Sequence, residues 1–370
     1  MNVLRYFQAL YKDYSKFALK EYEKNIHNWM GVKEIKNVSE ELIKRIFLNY
    51  MLDTFFIFVD KIRTLYFENS IESVIKKYSE GLWSSYLILE FLREKSIIEI
   101  RNGKISFLKD FNSFYLKPLS EREVKNLLKR KIKLKNLEIP VALNLQIKDF
   151  VWKEKFDQLP IDTKSAIFVV SKISHYYPFK NFFAFIGDDD FISIIFKLIY
   201  PEMKITVFDA DEDLLQSIEK VAKKFDIEIK VKKARVEENF NKTNNFYGCI
   251  TNPPYNLKGS ITFLEFSKKL LSKEGGRCFL ILGNEAIGRR YLELQKKISE
   301  SFIIREIIPS RISYPFYEKL TEDREILERL KSYGVKIEKR KILFASLYVL
   351  DFVNKEPEKI NFNSTIYTYL

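Results

Sequence analysis

The chain has 370 residues, enough for two domains with sizeable cores. Its 46% hydrophobic and 31% charged residues, with no stretch long and apolar enough to cross a bilayer, exclude membrane-spanning and disordered classes and leave a globular protein. The net charge of +13 keeps a polyanionic partner in play, although lysines scattered over helix surfaces would give the same sum.

Phe, Tyr, Ile and Lys are abundant while Gly, His and Met are scarce, a composition compatible with a heat-adapted source. Cys249 and Cys278 each sit in an apolar, strand-like run, which suits two buried thiols in a reducing compartment better than a disulfide or a metal site. His27 and His175 are too few and too far apart for a zinc site or a catalytic triad, so no metal is expected. The N-terminus "MNVLRYFQALYKDYSKFALKEYEK" is charged throughout and has no signal-peptide core, so a cytoplasmic location and no membrane partner are expected.

In chain order, residues 38–67 carry apolar side chains at three- and four-residue spacing, which predicts helix. A helix through Leu87–Arg93 then leads into apolar runs on either side of Asn102-Gly103. That dipeptide suits a hairpin, because its turn needs positive φ. Helices followed by such a hairpin predict an N-terminal winged-helix-like domain over 1–115. Residues 116–150 are Lys-rich with mixed pattern and read as a connector. From there to 370 short apolar runs alternate with helical patterns. Strands are expected at Phe182–Ile186, Lys204–Phe208, Ile227–Val231, Tyr247–Thr251, Cys278–Leu282, Ile303–Ile308 and Phe344–Phe352. This alternation predicts a Rossmann-like, methyltransferase-type, doubly wound and mostly parallel sheet, with ligands beyond the carboxyl ends of its strands.

Three strand ends are chemically loaded. The second ends at Asp209, placed to accept hydrogen bonds from ribose hydroxyls, with Asp211 left to cap the following helix. The fourth ends in Asn252-Pro253-Pro254-Tyr255, which resembles motif IV of methyltransferases acting on amino nitrogens. There an Asn oxygen and a proline carbonyl accept from the target NH group, and Tyr255 offers a stacking wall. A rigid Pro-Pro turn closing the strand is the plainer reading. The first ends in Gly187-Asp188-Asp189-Asp190, where nucleotide-binding folds usually place glycines. Capping of the next helix explains one aspartate, not three. A free carboxylate entering there would meet like charge at about a few kcal/mol per close pair. A donor without that group, or a cationic amine, would be welcomed.

Taken with "FDQLPIDTKSAIFVVSKI" before it and "TNPPYNLKGSITFL", "GNEAIGRRYLELQKKI" and "FASLYVLDF" after it, "GDDDFIS" resembles the branched-chain polyamine synthases, also called N(4)-bis(aminopropyl)spermidine synthases. The resemblance covers most of the chain in order. It implies a transferase of polyamine biosynthesis. Aminopropyl groups would pass from decarboxylated S-adenosylmethionine, a co-substrate rather than a bound cofactor, to spermidine. Carried over, Asp189 orients and deprotonates the attacking amine and Asp190 stands beside it in the catalytic group. Asp188 and Asp190 hold neighbouring ammonium groups. Gly187, Asp188, Asp209, Asn252 and Pro253 bind the donor, and Asp157 and Tyr255 the acceptor. A homodimer is compatible with this reading, and nucleic acid ranks below spermidine as a partner.

The chain departs from the family pattern at several points. Asn252 replaces the acid before Pro-Pro and Tyr255 the Glu after it. No acid follows the third strand in "VKKARVEENF", and a paired-cysteine segment between the domains is absent. An S-adenosylmethionine-dependent amino-methyltransferase on nucleic acid or protein therefore stays open. A DNA-binding regulator with a vestigial nucleotide fold ranks last, since no basic recognition helix lies near the hairpin. Residues 312–341, charged and aromatic, are expected to form a lid.

Overall fold

The computed structural model describes residues 3–29, 41, 44, 47, 52–78, 82–134, 136–147, 150–238, 243, 245–315, 328–334 and 343–353. It divides after Tyr115 into two compact units.

In the first unit, α1 (Val3–Trp29) buries Phe7, Leu10, Tyr14, Ala18 and Tyr22, a stripe at three- and four-residue intervals. The helix α2 (Phe55–Glu68) is capped by the Thr54 hydroxyl and ends at Asn69 in the left-handed conformation. Two more helices follow, α3 (Ile71–Tyr78) and α4 (Leu82–Glu94). The strands β1 (Ile98–Arg101) and β2 (Lys104–Phe107) pair antiparallel across Asn102 at φ 51° and Gly103 at φ 73°. The expected hairpin turn is thus present, and the unit is a helical region carrying one hairpin.

The second unit begins inside the segment expected to be a connector. Residues 121–131 form α5 (Glu121–Lys131), and Ser120 and Glu123 close a reciprocal capping box at its start. Next comes α6 (Thr163–Tyr176), capped by Asp162. The strand β3 (Phe182–Ile186) leads to α7 (Ile192–Ile199), β4 (Lys204–Asp209) to α8 (Glu212–Lys224), then β5 (Lys230–Lys233). The strand β6 (Gly248–Thr251) leads to α9 (Leu257–Leu270), and β7 (Gly276–Leu282) to α10 (Tyr291–Ser299). Two long strands, β8 (Phe302–Tyr314) and β9 (Leu343–Phe352), close the sheet.

The seven strands lie in the order β5-β4-β3-β6-β7-β9-β8. The first five are parallel, and β9 runs antiparallel to both β7 and β8. Every residue of β6 and β7 is buried, as strands covered by helices on both faces require. Cys249 and Cys278 face each other across β6 and β7 as buried free thiols. Because β4 lies on one side of β3 and β6 on the other, strand order reverses between β3 and β6. The crevice beyond their carboxyl ends is the position for a ligand in such a sheet.

Three expectations need adjustment. The third strand sits at Lys230–Lys233 rather than three residues earlier. The sixth continues past Ile308 to Tyr314, through register irregularities between Ile308 and Ile312. Ile312, Ser313 and Tyr314, expected in a lid, are buried strand residues. Residues 316–327 and 335–341 of that expected lid lie outside the described residues. Among the described residues no helix is long and apolar enough to cross a membrane.

Candidate active site

At the end of β3 the chain turns through Gly187 at φ 70°, a conformation that favours glycine. The Gly187 N–H donates to the Phe208 carbonyl of β4 (2.9 Å), fixing the turn against the neighbouring strand. Asp188, Asp189 and Asp190 follow at 1%, 8% and 2% exposure. Three adjacent carboxyls are thus withdrawn from water at the reversal of strand order.

Their surroundings differ. Asp188 accepts from the Ser193 N–H through both oxygens, each at 3.3 Å. It thereby supplies the side-chain cap that Phe191, left-handed at the start of α7, does not. Asp190 accepts from the Ile161 N–H at 2.7 Å and the Asn252 side-chain amide at 3.1 Å. The Asp189 carboxyl accepts from no other residue among those described, while its backbone carbonyl takes the Trp152 indole N–H at 3.2 Å.

Burial pushes Asp188 and Asp189 well above the ordinary carboxyl range, and for Asp189 the charges of Asp190, Asp209 and Asp188 push the same way. Burial also raises Asp190, but its two donors pull it back to about 7. Half-buried Asp209, at the end of β4, is raised by burial to about 6 and accepts from the Asp211 N–H at 2.8 Å. Among the described residues no lysine or arginine forms an ion pair with any of these four carboxyls, and no group of three or more His, Cys, Asp or Glu is arranged to hold a metal ion.

The end of β6 completes the arrangement. Asn252 donates to Asp190 through Nδ2, and its Oδ1 accepts from the Tyr255 and Tyr314 hydroxyls, each at 3.2 Å. The two hydroxyls also touch each other, their rings edge to face at 6.1 Å. Pro253 is buried beside them. Tyr255 lies over Gly283, where a Cβ would meet its ring at 2.5 Å, so the backbone after β7 must be glycine for the ring to fit.

Of the residues expected from sequence, Gly187, Asp188, Asp189, Asp190, Asn252, Pro253 and Tyr255 lie at the ends of β3 and β6, which flank the reversal, and Asp209 at the end of the neighbouring β4. Asp157 is solvent-exposed and left-handed, yet surrounding protein still raises its pKa and its charge reaches Tyr255. Asp211 caps α8, as expected from the sequence, and is held by Lys153 at 2.6 Å and Gln158 at 3.0 Å. The local acid excess is therefore partly neutralised, with Lys153 also pairing Asp213 at 2.5 Å. Sequence reasoning missed Tyr314, Trp152, Lys153 and the Ile161 N–H. Ile161 and Gln158 belong to the "FDQLPID" segment, which carried a signal; Tyr314 and Lys153 carried none.

A sheet of this strand order, preceded in the chain by an N-terminal helical region, has an α/β methyltransferase-like fold. Residues 151–366 match the model of the branched-chain polyamine synthase A C-terminal domain, and the chain belongs to that family. An uncharacterized protein of Methanocaldococcus jannaschii is 31% identical over 158 residues, which span 41% of this chain and 39% of that protein's length. The solved branched-chain polyamine synthase of Thermus thermophilus, in complex with N4-aminopropylspermidine and 5'-methylthioadenosine, aligns at 14% identity with a TM-score of 0.49, covering 83% of this chain and 89% of that one. A geranyl diphosphate methyltransferase in complex with SAM aligns at 9% identity and TM-score 0.33, over 47% of this chain and 78% of its own.

Proposed function

We propose that the chain is an aminopropyltransferase that carries aminopropyl groups from decarboxylated S-adenosylmethionine to spermidine, making branched-chain polyamines and releasing 5'-methylthioadenosine. The observation that carries this reading is the buried Asp188–Asp190 run, which has no ion pair among the described residues and lies at the reversal of strand order. Family membership points the same way.

The amine nitrogen attacks the carbon bonded to sulfur. A C–N bond forms, the C–S bond breaks with its electron pair going to sulfur, and the sulfonium becomes a neutral thioether. Asp189, which holds a proton in the free protein, releases it to solvent when the two cations bind, and the ionised carboxylate then takes the proton lost by the amine. An amine of pKa near 10 is mostly protonated at neutral pH, so a carboxylate beside it must expose the lone pair. Asp188 and Asp190 offset the charge of two cations brought together. Asp209 accepts from the donor's ribose, Gly187, Asn252 and Pro253 shape the donor side, and Asp157 and Tyr255 flank the acceptor. The N-terminal helices and hairpin serve as a winged-helix-like module.

Incubation with decarboxylated donor and spermidine should yield 5'-methylthioadenosine and a tertiary amine product by mass spectrometry. Absence of product across several polyamines would overturn the reading.

The Asn-Pro-Pro-Tyr sequence at the end of β6 favours a second reading, methyl transfer to an amino nitrogen. Against it, Asn252 Oδ1 already accepts from two tyrosines and is not free for a target NH group. Thermal shifts separate the two: the first reading requires greater stabilisation by the decarboxylated donor than by ordinary S-adenosylmethionine, the second the reverse.

A further inference from the structure

We propose that Tyr314, together with Tyr255, is a positioning residue for Asp190: the two hydroxyls hold the Asn252 amide with its NH2 end towards that carboxylate, so that Asp190 is the ionised member of the Asp189–Asp190 pair. The assignment of Asp189 as base rests on the function proposed above; the positioning role does not.

The amide of Asn252 has two unlike ends. Its nitrogen donates to Asp190 Oδ2, and its oxygen lies 3.2 Å from each tyrosine hydroxyl. The hydroxyls also contact each other, so two hydroxyl protons serve three contacts. Whichever two contacts are hydrogen-bonded at a given moment, at least one ends on Asn252 Oδ1. A flipped amide would take the acceptor away from the tyrosine hydroxyls and set its oxygen against a carboxylate that thereby loses its donor. The tyrosines and Asp190 together therefore define one orientation.

Both rings are held from outside the aspartate turn. Tyr314 is 2% exposed and is the last residue of β8, where the irregularity after Ile308 turns an exposed edge strand inward. Tyr255 occupies the space that Gly283 leaves empty.

The groups facing Asp190 are Asp188 and Asp189 from its own turn and the phenols of Tyr255 and Tyr314 from the β6 end and β8. Asp209 from the β4 end acts on Asp189, and Asp157 on Tyr255. Carboxyls crowded in this way cannot all ionise, and hydrogen-bond donors decide which one does. Asp190 has two donors, the Ile161 N–H and the Asn252 amide; Asp189 has none from another residue among those described.

The test is a pH titration of the free protein carrying [13Cγ]aspartate, followed by NMR, with signals assigned through Asp189→Asn and Asp190→Asn. In the unmodified chain Asp190 should titrate below Asp189. In the Tyr255→Phe/Tyr314→Phe double variant, and in Asn252→Leu, its midpoint should rise by about one unit while that of Asp188 stays in place. Tyr314→Phe alone should move it in the same direction by less, and supplies the answer if the double variant does not fold. An Asp190 midpoint unmoved by loss of the tyrosine hydroxyls overturns the proposal. So does a shift shared equally by Asp188, which marks general loosening. No donor or polyamine is present, so a failure here is distinct from a failure of aminopropyl transfer.

Discussion

Buried carboxyls stand at both ends of the same sheet, and they are treated in opposite ways. At the amino end of β7, Asp351 is 4% exposed and receives Arg277 and Arg305, each at 2.6 Å. Arg277 faces it directly in the β7–β9 register. At the carboxyl end of β3, three aspartates are equally withdrawn from water and no cation among the described residues pairs with them. A charge with two internal partners belongs to the architecture. A group of acids without one among the described residues suits the cationic substrates proposed above, and its burial raises the carboxyls towards their protonated form.

The sharpest way to break this contrast is to neutralise one charged side chain at each end of the sheet. With Asp189 as the base proposed above, Asp189→Asn should lower turnover by about 10²- to 10⁴-fold, while the melting temperature holds or rises because a buried acid without a donor from another residue among those described is gone. Parallel turnover and thermal-melt measurements check this, and a collapse in stability would place Asp189 in the architecture instead. Arg277→Met should do the reverse. It leaves Asp351 with one partner fewer and should cost about 3 kcal/mol in chemical denaturation, with transfer chemistry intact in the protein that remains folded.

Acidity sharpens the comparison further. Asp190 at about 7 and Asp209 at about 6 lie above the unfolded carboxyl value of about 3.9. With the folded value raised, the folded state binds more protons between those limits. Their contribution to stability is therefore complete below about pH 4 and is lost as pH rises through 6 to 7. The melting temperature of the unmodified chain, relative to Asp190→Asn, should fall between pH 5 and pH 8. Spermidine should stabilise the protein more at pH 8 than at pH 5. A pH-independent difference would refute this.

The smallest effect belongs to Lys153, which is partly exposed and ties Asp211 and Asp213. Lys153→Met should lower the melting temperature by about 2–4 °C with little change in turnover. A large loss of activity would move Lys153 from the rim into the chemistry.

How much of this was readable beforehand depended on whether the deciding contact was local. β3, β4, β6, β7 and β9 were legible because each is a short apolar run bounded by turn residues or charges. Lys230–Lys233 was not, since an edge strand of lysines has no alternation to betray it, and Ile227 and Ile229 drew the assignment earlier. The helix Glu121–Lys131 was legible in principle, because Ser120 and Glu123 stand at capping-box spacing, but the surrounding lysines hid its pattern. The Asp188–Asp190 and Asn252–Tyr255 stretches announced themselves as motifs. Tyr314 could not, because its contact with Asn252 spans 62 residues and depends on an irregular strand that no periodicity encodes.

That irregular strand has a consequence for how the protein comes into being. In the sheet order β8 touches no strand but β9, and β9 is made after it. During synthesis β8 can join the sheet only once residues 343–353 have emerged to pair with β7 and with it. A nascent polypeptide that stops short of them already carries every aspartate of the β3 turn, but its sheet still lacks β9 and, with it, the pairing partner of β8.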